Sequence, residues 1–306
     1  MKKKWLMLGG AVGISSIVMV TTGFSALAST SGYDAYKSAL KNTKTVQNVA
    51  VQAAAALQDN GNVLASANGS FKVSLDSKTA SGNADVLANG TQQSLSFYKQ
   101  DNQTVLKSNA SDVYFVKQEG DKKHKTEKKL KETEIPQQVE TVIDALVGNL
   151  KDYVAVDTKT DGTKEIAIQL DNAQIPTVVN ALAPIAIKEA SKDEHDGEKQ
   201  DASGQNAATP FNEDFLKNAA PQLTQDIKIE KVSIKASINA DNYITHQEAD
   251  LSVSGKDDSG AAHQVTLHLQ ADLSGYNHTT PDTVDLTGKT VQNLKPDHHG
   301  NHDNNE

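Results

Sequence analysis

The chain has 306 residues, no cysteine, 39 acidic side chains and 30 basic ones, for a formal net charge of −9. That excludes a disulfide framework, a thiol nucleophile and a cysteine-linked lipid anchor, and it disfavours nucleic acid, whose binding depends on cations that neutralise phosphates. Every cation is a Lys, so the planar Arg fork that grips phosphate or carboxylate with two parallel hydrogen bonds is absent and phosphorylated ligands are disfavoured too.

Residues 1–28 read as a signal peptide. Lys2, Lys3 and Lys4 precede an apolar run from Trp5 to Val20, and Ala26-Leu27-Ala28 supplies the small-residue cleavage pattern. Cleavage after Ala28 would give a secreted or extracytoplasmic protein without a lipid anchor. The alternative is an uncleaved membrane anchor, although Gly9, Gly10, Gly13, Ser15 and Ser16 dilute a run already short for a span of about 20 apolar residues.

Residues 29–190 form the first unit. A helix is expected with Tyr33, Tyr36, Ala39 and Leu40 on its inner stripe. From Val46 to Val116 apolar positions recur with period two, as in Phe71, Val73 and Leu75 alternating with Lys72, Ser74 and Asp76. Asp59-Asn60-Gly61, Asn89-Gly90 and Asp101-Asn102 punctuate the runs as hairpin turns. The pattern predicts an antiparallel meander with one wet face.

Two helices are then expected. The first opens at Pro136, a residue favoured at the first helical position, and aligns Val139, Val142, Ile143, Leu146 and Leu150. After a hairpin around Asp161-Gly162, whose second strand carries Ile166, Ile168 and Leu170, the other opens at Pro176. Its Ile175, Val178, Val179, Leu182, Ile185 and Ile187 cover nearly the whole circumference, which suits a buried helix or one lining an apolar cavity; Pro184 should kink it.

Residues 191–209 lack large apolar side chains and read as a disordered acidic linker or loop. In 210–294 a short helix, with Thr209 as N-cap and Phe211, Phe215 and Leu216 on one face, leads into long strands that complete the same sheet or form a second half-fold. Ile227 and Ile229 are odd-numbered, whereas Val232, Ile234, Ala236 and Ile238 are even-numbered, so a β-bulge is expected near Glu230 and Lys231. Val265, Leu267, Leu269, Ala271 and Leu273 mark the last strand. Leu40-Lys41-Asn42 and Leu216-Lys217-Asn218 precede similar element orders, a weak internal echo. Residues 295–306 form a polar tail of His, Asn and Asp.

Enzyme signatures are missing. Gly288-Lys289-Thr290 lacks the Gly that a phosphate loop needs five positions earlier, where Thr283 stands. Asp157-Thr158-Lys159-Thr160-Asp161-Gly162 resembles the start of a calcium loop, but Lys159 takes a ligand position and Ile168 replaces the bidentate Glu. His195, His298, His299 and His302 lie in stretches expected to be solvated, which lack the oriented surroundings of a specific metal site. His263 and His268 suit surface or strand-edge positions. No catalytic residue, cofactor or metal is therefore expected. Lys122 to Lys131 is the one concentrated positive run; it could contact an anionic envelope surface or lead, solvated, into the next helix.

The element order, an N-terminal helix, a long antiparallel meander, two helices in its middle and a return to long strands, resembles the outer-membrane lipoprotein carrier superfamily, the LolA-like proteins. The resemblance covers roughly residues 33–290 and implies an α+β fold: a strongly curved antiparallel half-barrel with helices packed on its concave face. It further implies an apolar groove for a lipid or other hydrophobic ligand. The groove-lining candidates are Val139, Ile143, Leu146, Val178, Leu182 and Ile185. The carriers' cavity Arg has no counterpart, and neither does the acylated Cys of the lipid-binding lipoproteins, so lipoprotein hand-over is not implied. The expectation is a secreted, non-catalytic binding protein; the alternative is an envelope regulatory or structural protein acting by protein–protein contact.

Overall fold

The computed structural model describes residues 31–118, 153–177, 179–181 and 219–294. Helix α1 spans Ser31–Thr43, with Asp34 in its first turn and Lys41 in its last, each complementing the helix dipole. Tyr33, Tyr36, Ala39 and Leu40 are all buried, as their spacing predicts.

Among the described residues twelve strands follow: β1 (Asn48–Asp59), β2 (Asn62–Ser74), β3 (Thr79–Ala88), β4 (Thr91–Gln100), β5 (Gln103–Ser108), β6 (Tyr114–Gln118), β7 (Val154–Thr158), β8 (Lys164–Asp171), β9 (Gln225–Ile238), β10 (Ile244–Lys256), β11 (Ala262–Ser274) and β12 (Val291–Asn293). They form one sheet in the order β12-β6-β5-β4-β3-β2-β1-β11-β10-β9-β8-β7. Every pairing is antiparallel except that of β12 with β6. The three predicted hairpins are present: Asn60 (φ 49°) and Gly61 (φ 81°) occupy the left-handed region together, as do Asn89 with Gly90 and Asp101 with Asn102, which matches the right-handed twist of the flanking strands.

Pairing of β1 with β11 joins the two halves, running from Ala50 opposite Ser274 to Asp59 opposite Val265. The bulge in β9 falls at Glu230. Ser252 faces Lys231 while Val253 faces Ile229, so Glu230 is skipped and Ile227, Ile229, Ile234, Ala236 and Ile238 all bury their side chains. Leu75 departs from the alternation of Phe71 and Val73: it lies beyond the end of β2 and is exposed.

The expected strongly curved half-barrel with helices on its concave face is not what forms. The protein is a mainly β structure built on one open sheet, neither closed nor strongly curled, with few helices. The physical reason is that period-two patterning specifies strands and their buried face but leaves curvature open. Tight two-residue turns simply add strand beside strand, and the register shifts are confined to one site between β1 and β2 and three between β9 and β10.

The principal core lies where α1 crosses the sheet. Tyr36, Ala39 and Leu40 pack with Ile166, Ile168 and Leu170 of β8, Ile229, Ile234, Ala236 and Ile238 of β9, and Ile175 and Val179 beyond β8. The Gln247 side-chain amide donates a hydrogen bond to the Tyr36 hydroxyl inside this core. After β11, residues 275–290 run across one end of the sheet as a strap. Asn277 N donates to Asn48 O (2.9 Å), Asp282 pairs with Lys72 (2.8 Å), and Val284 and the Gln100 side chain exchange two hydrogen bonds of 2.8 Å. Tyr114 N then donates to Thr290 O, and β12 covers the outer edge of β6.

Candidate functional site

The ladder registers place one apolar row after another on a single face of the sheet. Val232, Leu251, Leu267, Leu57 and Ala65 are successive cross-strand neighbours on β9, β10, β11, β1 and β2; the next row is Ile234, Ala249, Leu269, Ala55 and Ala67. A third row runs through Gln247, Ala271, Ala53, Gly69 and Ala84. A fourth carries Leu273, Val51, Phe71, Gly82 and Phe97.

Coverage of this face is uneven. The core under α1 extends to β11 only at Val265 and Leu273, which pack against its rim. Leu267 and Leu269 lie between those two positions and outside the cluster. Leu251 and Leu267 face each other across β10 and β11, and each is 37% exposed. Next to them the face is lined by Ala53, Ala55, Ala65, Ala67, Gly69 and Ala84, whose short side chains leave a shallow band between the leucines of β11 and the Phe71–Phe97 pair, whose ring centroids are 6.1 Å apart.

The opposite face is polar and holds two histidine–carboxylate pairs, and a third stands at the end of the apolar face, where His263 and Asp59 share the parity of Val265 and Leu57. His246 Nδ1 is 2.7 Å from Asp272 Oδ1 and its Nε2 is 3.2 Å from Glu248 Oε1. His268 Nδ1 is 2.7 Å from Asp250. At the end of the sheet His263 lies between Asp59 (2.8 Å) and Asp257 (3.4 Å). Hydrogen bonding to Asp59 raises the His263 pKa against the cost of partial burial. For His246, burial opposes the charge, but its bonds to Asp272 and Glu248 prevail and raise its pKa as well. Asp257 is held down to about 2, chiefly by the Ser259 hydroxyl and the Ala261 amide that it caps. Each imidazole is thus engaged by carboxylates, and no group of three or more His, Asp or Glu suited to a metal ion occurs among the described residues.

The groove residues expected from sequence, Val139, Ile143, Leu146, Val178, Leu182 and Ile185, lie outside the described residues, as do Lys122–Lys131, His195 and the C-terminal histidines. Of the same apolar stretch, Ile175 and Val179 are described, and both fill the core under α1. The Asp157–Gly162 segment forms the turn of the β7–β8 hairpin, where Asp161 Oδ1 accepts from Thr163 N (2.9 Å) and Oγ1 (2.6 Å).

Sequence reading missed the alanine band. Its signal was present in Ala53-Ala54-Ala55-Ala56, a run of a residue depleted in strands, set in a strand register where small side chains admit close approach. A scan against protein-family models finds no match, and a search of curated proteins finds no relative of this chain.

Proposed function

We propose that this chain is an exported, non-catalytic binding protein that shelters a lipid-like hydrocarbon chain against the apolar face of its sheet. The observation that carries the reading is Leu251 opposite Leu267, two leucines in contact register and each more than a third exposed beside a band of Ala and Gly. Contiguous apolar patches on a soluble protein commonly mark interaction sites. A floor of short side chains forms a channel suited to a flexible chain, each methylene of which gains about 0.8 kcal/mol on burial. Among the described residues the band itself holds no cation, and Gln247 in its third row is engaged by Tyr36. Export is supported by the Lys2–Lys4 and apolar-run pattern of the N-terminus.

Titration with a fluorescent fatty acid tests the reading. The protein should bind it with an affinity that tolerates salt, Leu267→Glu should weaken binding by about tenfold or more, corresponding to about 1.4 kcal/mol, and Thr266→Glu on the opposite face should leave it unchanged. Absence of binding by the unmodified protein, or equal loss from both variants, would overturn it.

A further inference from the structure

We propose a second binding site, on the polar face, for a neutral, extended oligosaccharide lying across the strands. It does not rest on the apolar-face reading. A shallow trough of about 390 Å³ crosses β11, β1, β2 and β3. Its side chains stand in two rungs fixed by the ladder register. One rung is Asp272, Gln52, Ser70 and Asn83; the other is Gln270, Ala54, Asn68 and Asp85. Neighbouring members of a rung are one strand apart, about 4.8 Å, and the rungs are about 7 Å apart along the strands.

Three features specify the ligand class. First, Gln52, Asn68, Asn83 and the Ser70 hydroxyl make no side-chain hydrogen bond among the described residues, whereas Lys72 and Ser81, one rung nearer the strap, are already engaged by Asp282. Second, each free amide offers donors and an acceptor, which suits hydroxyl groups that both give and take hydrogen bonds. Third, no Lys among the described residues lines the trough, while Asp85 and Asp272 do, a lining that disfavours an anionic ligand. Asp272 is oriented by His246 and Gln270, and Asp85 by the Ser94 hydroxyl, leaving the carboxylates held in place as acceptors. The regularly spaced rungs favour an extended polymer over a compact solute. Tyr98 pairs with Ser81 on this face, diagonal to Asn83, a position from which an aromatic ring can stack on a sugar.

The test is nitrogen-15 NMR of the full chain with cellohexaose and with chitohexaose, both uncharged and extended. The side-chain amide signals of Gln52, Asn68 and Asn83 should shift saturably with at least one sugar, and the affinity should be unchanged by about 0.5 M salt, which screens charge contacts. The exposed-surface double variant Asn68→Ala with Asn83→Ala should keep the folded spectrum and bind at least about tenfold more weakly, while Leu267→Glu should bind as the parent does. Silence of these amides toward both sugars, shifts confined to the apolar face, or undiminished binding by the double variant would each overturn the proposal.

Discussion

Phe71 lies across the backbone of Gly82. A Cβ added at Gly82 would stand 2.6 Å from Phe71 Cδ1, 2.7 Å from Ser70 O and 2.8 Å from Phe97 Cε1; one at Gly69 would stand 2.5 Å from Phe71 Cζ. The two glycines make the flat seat on which the ring rests. Gly82→Ala meets a backbone carbonyl as well as two rings, so it should destabilise the sheet by about 1–3 kcal/mol, the usual cost of overpacking. A lowered midpoint of urea denaturation checks this, and an unchanged midpoint contradicts the seat.

Tyr36 and Gln247 tie α1 to the sheet. Burial drives the Tyr36 hydroxyl pKa upward, while its bond to Gln247 opposes the rise. Tyr36→Phe removes the acceptor of the buried Gln247 amide and should cost about 1–3 kcal/mol, the penalty for stranding a buried polar group. Thermal unfolding should show that adding Gln247→Leu recovers part of the loss.

Deleting Glu230 should be far less harmful than deleting a residue of the regular ladder such as Lys235. Glu230 is skipped in the ladder, so its loss leaves Ile227, Ile229, Val232 and Ile234 in unbroken alternation on one face. Deletion of Lys235 instead shifts the parity, so the register that seats Ala236 and Ile238 would turn Ile229 and Ile234 toward the polar face. Two such side chains brought into water cost about 3–6 kcal/mol together. Circular dichroism should show a loss of cooperative folding for the Lys235 deletion, with the Glu230 deletion close to the parent.

His263 and His246 give the stability a defined pH dependence. Both have raised native pKa values, above an unfolded value near 6.5. Their contribution is therefore complete below about pH 6.5 and is lost as pH rises through the native pKa values. Denaturation across about pH 5.5 to 8.5 should show declining stability from these pairs, and His263→Asn with His246→Asn should flatten the decline. Asp257 works in the opposite direction. Its pKa of about 2 makes its contribution complete above the unfolded value near 3.9 and lost as pH falls toward 2.

Local chemistry was well reflected in the chain. Asn60-Gly61 marked its turn because only a few residues tolerate two successive positive φ angles, and the parity change around Glu230 marked its bulge because a strand cannot otherwise keep Ile229 and Ile234 on one face. That the sheet stays open instead of curling into the expected half-barrel was not legible, since alternation is the same in both. The partly exposed band around Leu251 and Leu267 was hidden for a related reason: alternation assigns a side chain to a face but does not reveal what packs above it.

Sequence alone determined the long strands, their hairpin turns, the inner stripe of α1 and the face to which those strands turn their apolar side chains, because backbone sterics and a two-residue period act within a few positions; the short β12 after the expected last strand carried no such signal. Only the tertiary structure decided that β1 pairs with β11, that the strap carries β12 to β6, and that Gln52, Ser70 and Asn83 align with Asp272 in one rung. Those alignments join residues as far apart as Ala50 and Ser274, and their register follows from packing summed over the whole sheet rather than from any local signal.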